Sequence, residues 1–210
     1  MQPSTIIGSH NSWSYLPVRK WWMKPIAFMA RCQSKTIQEQ YELGVRCFDL
    51  RVRYNRYGLG IVAHGLVEYC FTASRIYEDL AWLDKKGDCM VRVIHEVRSG
   101  RKHSERSVIL FRLFCSRIEE SYGGIRFWCG RNLFDWQKDY DFGDDPSCEE
   151  NYASVSCKWL AWWPWLYARL NNRKVHQKGT KKDILLIDYI DKCLSVVIKH
   201  SEDKNNVDVF

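Results

Sequence analysis

Hydrophobic and polar positions along this chain follow two alternating periods. Short runs with period two, or with unbroken apolar character, predict strands at Ser4–Gly8, Val45–Val52, Gly60–Ala63, Cys89–Val97, Ile125–Cys129 and Asp183–Ile190. Between them the spacing lengthens to three and four residues. Ile76, Leu80 and Leu83 give an apolar face over Ser74–Lys85, and Val108, Phe111, Cys115 and Ile118 give another over Glu105–Tyr122. Thr36-x-x-Glu39 reads as a helix-opening capping box and Gly44 as the stop. An aromatic helix is expected over Ser156–Asn171, kinked at Pro164, and an acidic, turn-rich loop over Lys138–Asn151. In the second strand Val45, Cys47, Asp49 and Arg51 share one face, with Arg46, Phe48 and Leu50 on the other. The last strand, Ile-Leu-Leu-Ile-Asp-Tyr-Ile, suits burial on both faces.

Strands alternating with helices predict a parallel α/β sheet. His10, Asp49 with Arg51, His64, His95 with Glu96, and Asp188 all fall at or near the C-terminal ends of strands. In a (β/α) barrel those ends meet on one face. At 210 residues with six predicted strands, the chain is short of the roughly 250 residues usual for a full barrel. The expectation is therefore a single domain over residues 1–210 with an irregular or incomplete TIM-like (β/α) barrel.

Composition adds three constraints. A net charge of +7 calls for an anionic partner, and 10 Trp with 11 Tyr favour an interface that is apolar on one side and wet on the other. No apolar run is long enough to span a bilayer, and no secretory signal is visible, so a cytoplasmic or peripheral membrane location is expected; a leader preceding this sequence would make the protein secreted. Nine scattered Cys contain no C-x-x-C pair, which argues against a zinc ribbon and for reduced thiols. Nucleic acid is not expected as a partner, because no matching motif accompanies the positive charge. A monomer is expected.

Two histidines near strand ends, with an arginine between them in sequence, are the minimum equipment for phosphodiester cleavage without a redox cofactor. One histidine takes a proton from the attacking oxygen and the other gives one to the leaving oxygen. Arg51 offers a fork to the phosphate oxygens. His103, His176 and His200 lie in polar stretches and read as solvated surface.

Gly8-Ser9-His10-Asn11-Ser12, the stretch Gln-Ser-Lys-Thr-Ile-Gln-Glu-Gln-Tyr-Glu-Leu-Gly at 33–44, Val-Arg-Cys-Phe-Asp-Leu-Arg-Val-Arg at 45–53 and Ala63-His64-Gly65 resemble the X domain of phosphatidylinositol-specific phospholipase C, the bacterial type most closely. The resemblance covers about residues 4–66 and returns at Leu-Leu-Ile-Asp-Tyr-Ile near the end. It implies a distorted TIM barrel and attack of the inositol 2-hydroxyl on phosphorus, releasing diacylglycerol and a cyclic inositol phosphate. It implies His10 as base, His64 as acid, Arg51 as phosphate ligand, Asp49 beside it, and Asp188 as the carboxylate that orients His10, with Asp191 as a nearby competitor. Asn11, His95 and Glu96 are candidate substrate-binding positions. No cofactor is implied on the bacterial pattern. Asn11 and Glu96 instead match the calcium-dependent members, where Asn11, Asp49 and Glu96 would be the ligands; Arg51 argues against a cation there. Two other readings stay open: a calcium-dependent glycerophosphodiester or sphingolipid phosphodiesterase, and a catalytically silent lipid-binding barrel.

The segment from Lys158 to Arg169 carries Trp159, Trp162, Trp163 and Trp165, flanked by Lys158, Arg169, Arg173 and Lys174; Trp21 and Trp22 sit among Arg19, Lys20 and Lys24. Packing in the core is one reading. Contact with phospholipid at an anionic membrane surface is the other, because Trp and basic residues together suit that interface.

Overall fold

The computed structural model describes residues 6–69, 73–97, 103–131, 148–151, 163–178 and 184–192. Its strands are β1 (Ile6–Ser9), β2 (Cys47–Tyr54), β3 (Gly60–His64), β4 (Val67–Glu68), β5 (Cys89–His95), β6 (Ile125–Arg131), β7 (Cys148–Asn151) and β8 (Ile184–Ile187). Its α-helices are α1 (Ile37–Glu42), α2 (Ala73–Asp84), α3 (Glu105–Ser121) and α4 (Pro164–Lys178). Six strands pair in parallel in the order β6–β5–β2–β1–β8–β7. Among the described residues the sheet does not close between β6 and β7, so the architecture is the incomplete α/β barrel that the strand count implied.

Three expectations are corrected. β3 is antiparallel to β2, with Val52 opposite Val62 and Tyr54 opposite Gly60. The reason was present in the sequence: only residues 55–59 join the two strands, and a parallel crossover needs a dozen or more. The turn is held by Asn55, whose Oδ1 accepts from the Tyr57 and Leu59 N–H groups at 2.9 and 3.0 Å. Cys148–Asn151, expected as loop, is a strand parallel to β8; the rest of that segment, 138–147, lies outside the described residues. Pro164 does not kink a helix but opens α4, where its missing N–H costs nothing. The expected helical residues 156–162 lie outside the described residues.

The capping box is present: Thr36 N donates to Glu39 Oε2 at 2.8 Å, and Glu39 N to Thr36 Oγ1 at 3.3 Å. Gly44, at φ 89°, ends α1. The Val45 and Gly44 N–H groups return to the Gln40 and Tyr41 carbonyls, the paired closure that a left-handed residue allows.

The sheet separates two cores. Phe48, Leu50 and Val52 of β2 and Val91 and Val93 of β5 form one buried cluster with Ile76, Leu80 and Leu83 of α2 and Phe111, Cys115 and Ile118 of α3. Each large side chain buried this way contributes roughly 1.5–3 kcal/mol. The alternate positions fill the barrel interior. Cys47, Trp128, Ile184 and Leu186 form its apolar floor, and the next pair up, Asp49 of β2 opposite Arg92 of β5, is charged and buried. The site begins there.

Candidate active site

β1 is wedged between β2 and β8. A Cβ at Gly8 would come within 2.5 Å of Leu186 Cδ2 and 3.1 Å of the Cys47 carbonyl oxygen, so only glycine allows this approach. The ladder runs one residue past the strand, with His10 N donating to Ile187 O at 3.1 Å. The chain then turns through Asn11 at φ 46°, a left-handed conformation that Asn tolerates better than most residues. β8 stops at Ile187, so Asp188 emerges beside His10. Tyr189 follows at φ 47°, its N–H bonded to the Cys32 carbonyl at 2.6 Å. Gln33 staples the two strand ends: its Nε2 donates to Ile187 O at 2.7 Å and to His10 O at 3.2 Å.

This brings five predicted residues together. His10 Nδ1 lies 2.7 Å from Asp188 Oδ1, with both side chains buried. Asp191 instead accepts from the Ser34 hydroxyl at 3.4 Å. The His64 ring stands edge-on to His10, centroids 5.2 Å apart and planes at 87°. His64 Nδ1 is 2.8 Å from the Ala30 carbonyl, which fixes Nδ1 as the protonated nitrogen. Arg51 Nε donates to Asp49 Oδ2 at 2.8 Å, and its Nη1 is 3.8 Å from Glu96 Oε2. Asp49 Oδ2 also accepts the Asn11 N–H at 2.9 Å and lies 4.0 Å from His10 Nε2.

Burial alone would raise the Asp49 carboxyl, but the Arg51 and Arg92 guanidinium groups outweigh it and hold Asp49 well below the usual carboxylate range. His64 is pushed down to about 4, first by desolvation and then by the charge of Arg51 and by His10. Burial and the nearby Asp188 push the Cys32 thiol up.

The calcium-ligand candidates Asn11, Asp49 and Glu96 are close, but Arg51 stands between the two carboxylates. A guanidinium there occupies the ground that a bridging cation needs. His95 goes elsewhere. It faces α3, stacked on Phe111 at 4.8 Å and beside His103 at 4.2 Å. Glu96 turns inward and accepts the Gly65 N–H at 2.9 Å, which fixes the turn after His64.

Sequence reasoning missed four supporting residues: Arg92, Arg53, Cys32 and Gln33. Arg53 bonds the Gly65 carbonyl and lies 3.9 Å from Glu68. Arg92 is only 2% exposed, with Nε 4.0 Å from Asp49 Oδ1. Its signal was a lone cation in the apolar run Cys-Met-Val-Arg-Val-Ile.

A 3-10 helix, Trp21–Met29, follows on the chain from the His10 turn. Trp21 is 79% exposed, Trp22 52%, and Phe28 and Trp163 46% each. Phe28 and Trp163 pack edge to face at 5.7 Å, so both tryptophan-bearing segments meet on one surface. Trp159 and Trp162 lie outside the described residues. Among the described residues no helix is long and apolar enough to cross a membrane.

No protein-family model matches this sequence, and no curated protein does. The fold does match solved structures. Phosphatidylinositol-specific phospholipase C from Listeria monocytogenes superposes with a TM-score of 0.59 at 16% identity, over 92% of this chain and 93% of that one. A variant of the Staphylococcus aureus phosphatidylinositol-specific phospholipase C gives 0.60 at 15% identity, over 90% and 86%. Another structure of the S. aureus enzyme, concerned with modulation of its membrane binding, gives 0.57 at 16% identity, over 90% and 86%. The chain thus has the fold of bacterial phosphatidylinositol-specific phospholipase C.

The geometry distinguishes the two candidate carboxylates. Asp188→Asn is expected to lower the activity proposed below, by less than loss of His10 does, because the amide weakens both the orientation and the charge support of the imidazole. Asp191→Asn should leave activity unchanged. Parallel assays of the two variants check this, and the opposite ranking would transfer the role to Asp191.

Proposed function

We propose that the chain is a phosphodiesterase that cleaves phosphatidylinositol-type phospholipids to diacylglycerol and a cyclic inositol phosphate. The observation that carries this reading is the His10–Asp188 pair facing His64, with Arg51 fixed by Asp49 beside them. His10 Nε2 takes the proton of the inositol 2-hydroxyl as that oxygen attacks phosphorus. The bond from phosphorus to the glycerol oxygen breaks, and His64 Nε2 delivers a proton to the departing oxygen. Asp188 balances the imidazolium forming on His10. Arg51 receives the phosphate oxygens as charge shifts onto them. No metal is required, because the guanidinium between Asp49 and Glu96 supplies the positive charge. The test is the product spectrum from a panel of phospholipids, with and without chelator. Diacylglycerol and cyclic phosphate from phosphatidylinositol alone, unaffected by chelator, is expected. Chelator-sensitive cleavage of glycerophosphodiesters or sphingolipids, or no cleavage of any lipid, would overturn the reading.

His64 requires explanation as an acid, because with its value near 4 it is neutral in the free protein at pH 7. A bound phosphate diester brings a negative charge between Arg51 and His64, which offsets the guanidinium and raises His64. The alkaline limb of kcat/KM, which reports the free enzyme, should therefore lie at lower pH than the alkaline limb of kcat, which reports the complex. pH–rate profiles on a short soluble substrate measure both. Coincident limbs would remove His64 as the acid.

The exposed Trp21 and Trp22, beside Lys20 and Lys24, support docking on an anionic membrane. Vesicle co-sedimentation should show tighter binding to anionic than to zwitterionic lipid, weakened by salt as screening shortens to about 8–10 Å. Trp21→Ala with Trp22→Ala should weaken that binding and spare cleavage of a soluble substrate. Binding indifferent to lipid charge and to both substitutions would leave this surface without a membrane role.

A further inference from the structure

Cys32 belongs to no step above, yet it stands inside the site. Its Sγ is 3.6 Å from His64 Nδ1. One ring nitrogen of His10, one of His64 and the Cys32 sulfur all lie within 4.8 Å of one another. We propose that these three side chains form a binding site for zinc or a metal of similar softness, distinct in chemistry from any calcium site.

Three arguments support it. Thiolate with two imidazoles is a donor set that selects zinc, copper or iron over calcium and magnesium. Tetrahedral zinc, with Zn–N about 2.0–2.1 Å and Zn–S about 2.3 Å, sets ligand atoms roughly 3.3–3.6 Å apart. The 3.6 Å from Cys32 Sγ to His64 Nδ1 already matches that, and the other separations, at most 4.8 Å, close by up to roughly 1.2–1.5 Å through side-chain rotation. His10 also has the support that zinc-ligating histidines receive, one ring nitrogen bonded to a carboxylate that fixes the tautomer, here Asp188 at 2.7 Å. Three protein ligands leave the fourth position to solvent or a phosphate oxygen. His64, only part-buried, gives the ion a way in. On coordination His64 gives up its Ala30 hydrogen bond and its single ring proton moves from Nδ1 to Nε2. The Cys32 thiol releases its proton to solvent, and the freed Nδ1 lone pair of His64, the Nε2 lone pair of His10 and the thiolate fill the metal's coordination sites.

Filling this site ties up both histidines that the proposed reaction needs, so zinc is a reversible inhibitor. That consequence rests on the proposed function; the site itself does not.

The experiment is therefore a binding measurement. The reduced protein is titrated with Zn²⁺ in competition with a chromophoric chelator, and separately with Co²⁺ while the near-ultraviolet spectrum is followed. One equivalent of Zn²⁺ should bind and raise Tm. Co²⁺ should give a thiolate-to-metal charge-transfer band. Cys32→Ser should abolish that band and weaken the zinc site at least about tenfold, since changes in the groups that merely support a ligand already cost 10–100-fold. Cys32→Ala serves if the serine variant does not fold. Unchanged zinc affinity in the folded Cys32 variant, or a Co²⁺ complex with no thiolate band, would overturn the proposal.

Discussion

His10→Ala is expected to lower phosphodiester cleavage by about 10²–10⁴-fold, and His64→Ala by a similar factor. In the proposed reaction both side chains move protons, so most of the loss should appear in kcat. The two variants should differ in stability. His10 is buried against the equally buried Asp188. Its removal orphans a carboxylate, which costs roughly 1–3 kcal/mol. His64 is part-buried and its partner is a backbone carbonyl, so His64→Ala should unfold nearer to the parent. The double variant His10→Ala with Asp188→Asn should be no slower than His10→Ala alone, because Asp188 acts only through the imidazole and groups that act as a unit do not add. Cleavage of a soluble substrate, with thermal unfolding of the same samples, measures all of this. Near-parent activity in either folded single variant would end the acid–base assignment.

The sequence made the clustering of the candidate residues legible earlier than the topology, for a physical reason. Gly8, His10, Asp49, Arg51 and Asp188 are each constrained by short-range geometry: a close strand approach, a tight turn, a two-residue period on one face of a strand. Such constraints leave local patterns. What brings Gln33 to the ends of β1 and β8 is a tertiary contact, and what sets Arg92 opposite Asp49 is the register of β5 on β2; the residues adjacent in sequence record neither. His95 illustrates the limit. Its position at a strand end suggested the site, but strand alternation sends neighbouring side chains to opposite faces. Glu96 points in, and His95 packs on Phe111. The antiparallel β3 was decidable from loop length, since residues 55–59 cannot make a crossover. β7 was not, because Cys-Glu-Glu-Asn has no apolar alternation and depends on β8 for its pairing. The capping box and Gly44 matched because helix ends are written in four or five consecutive residues.

Arg51 gives the other large effect, and its two substitutions separate charge from shape. The residue is 4% exposed, its side chain bonded through Nε to Asp49 and set near Glu96. Arg51→Ala leaves two buried carboxylates, Asp49 and Glu96, without the guanidinium that stands between them. Breaking a buried ion pair from one side costs about 3–5 kcal/mol, so this variant should be markedly less stable. Arg51→Lys keeps a cation and should recover part of that stability. It cannot bond Asp49 and the phosphate oxygens at once, because an ammonium is a compact point charge without the planar fork. Both variants should therefore lose about 10²–10³-fold in kcat, the range seen when one donor to a developing anion is removed. Activity of the unsubstituted protein should persist in excess chelator, since in the proposed reaction the guanidinium supplies the positive charge that a metal would. Unfolding midpoints and kcat for the pair, with the chelator control, decide the matter. A lysine variant with near-parent kcat would show that charge alone suffices, and loss of parent activity in chelator would return Asn11, Asp49 and Glu96 to the role of calcium ligands.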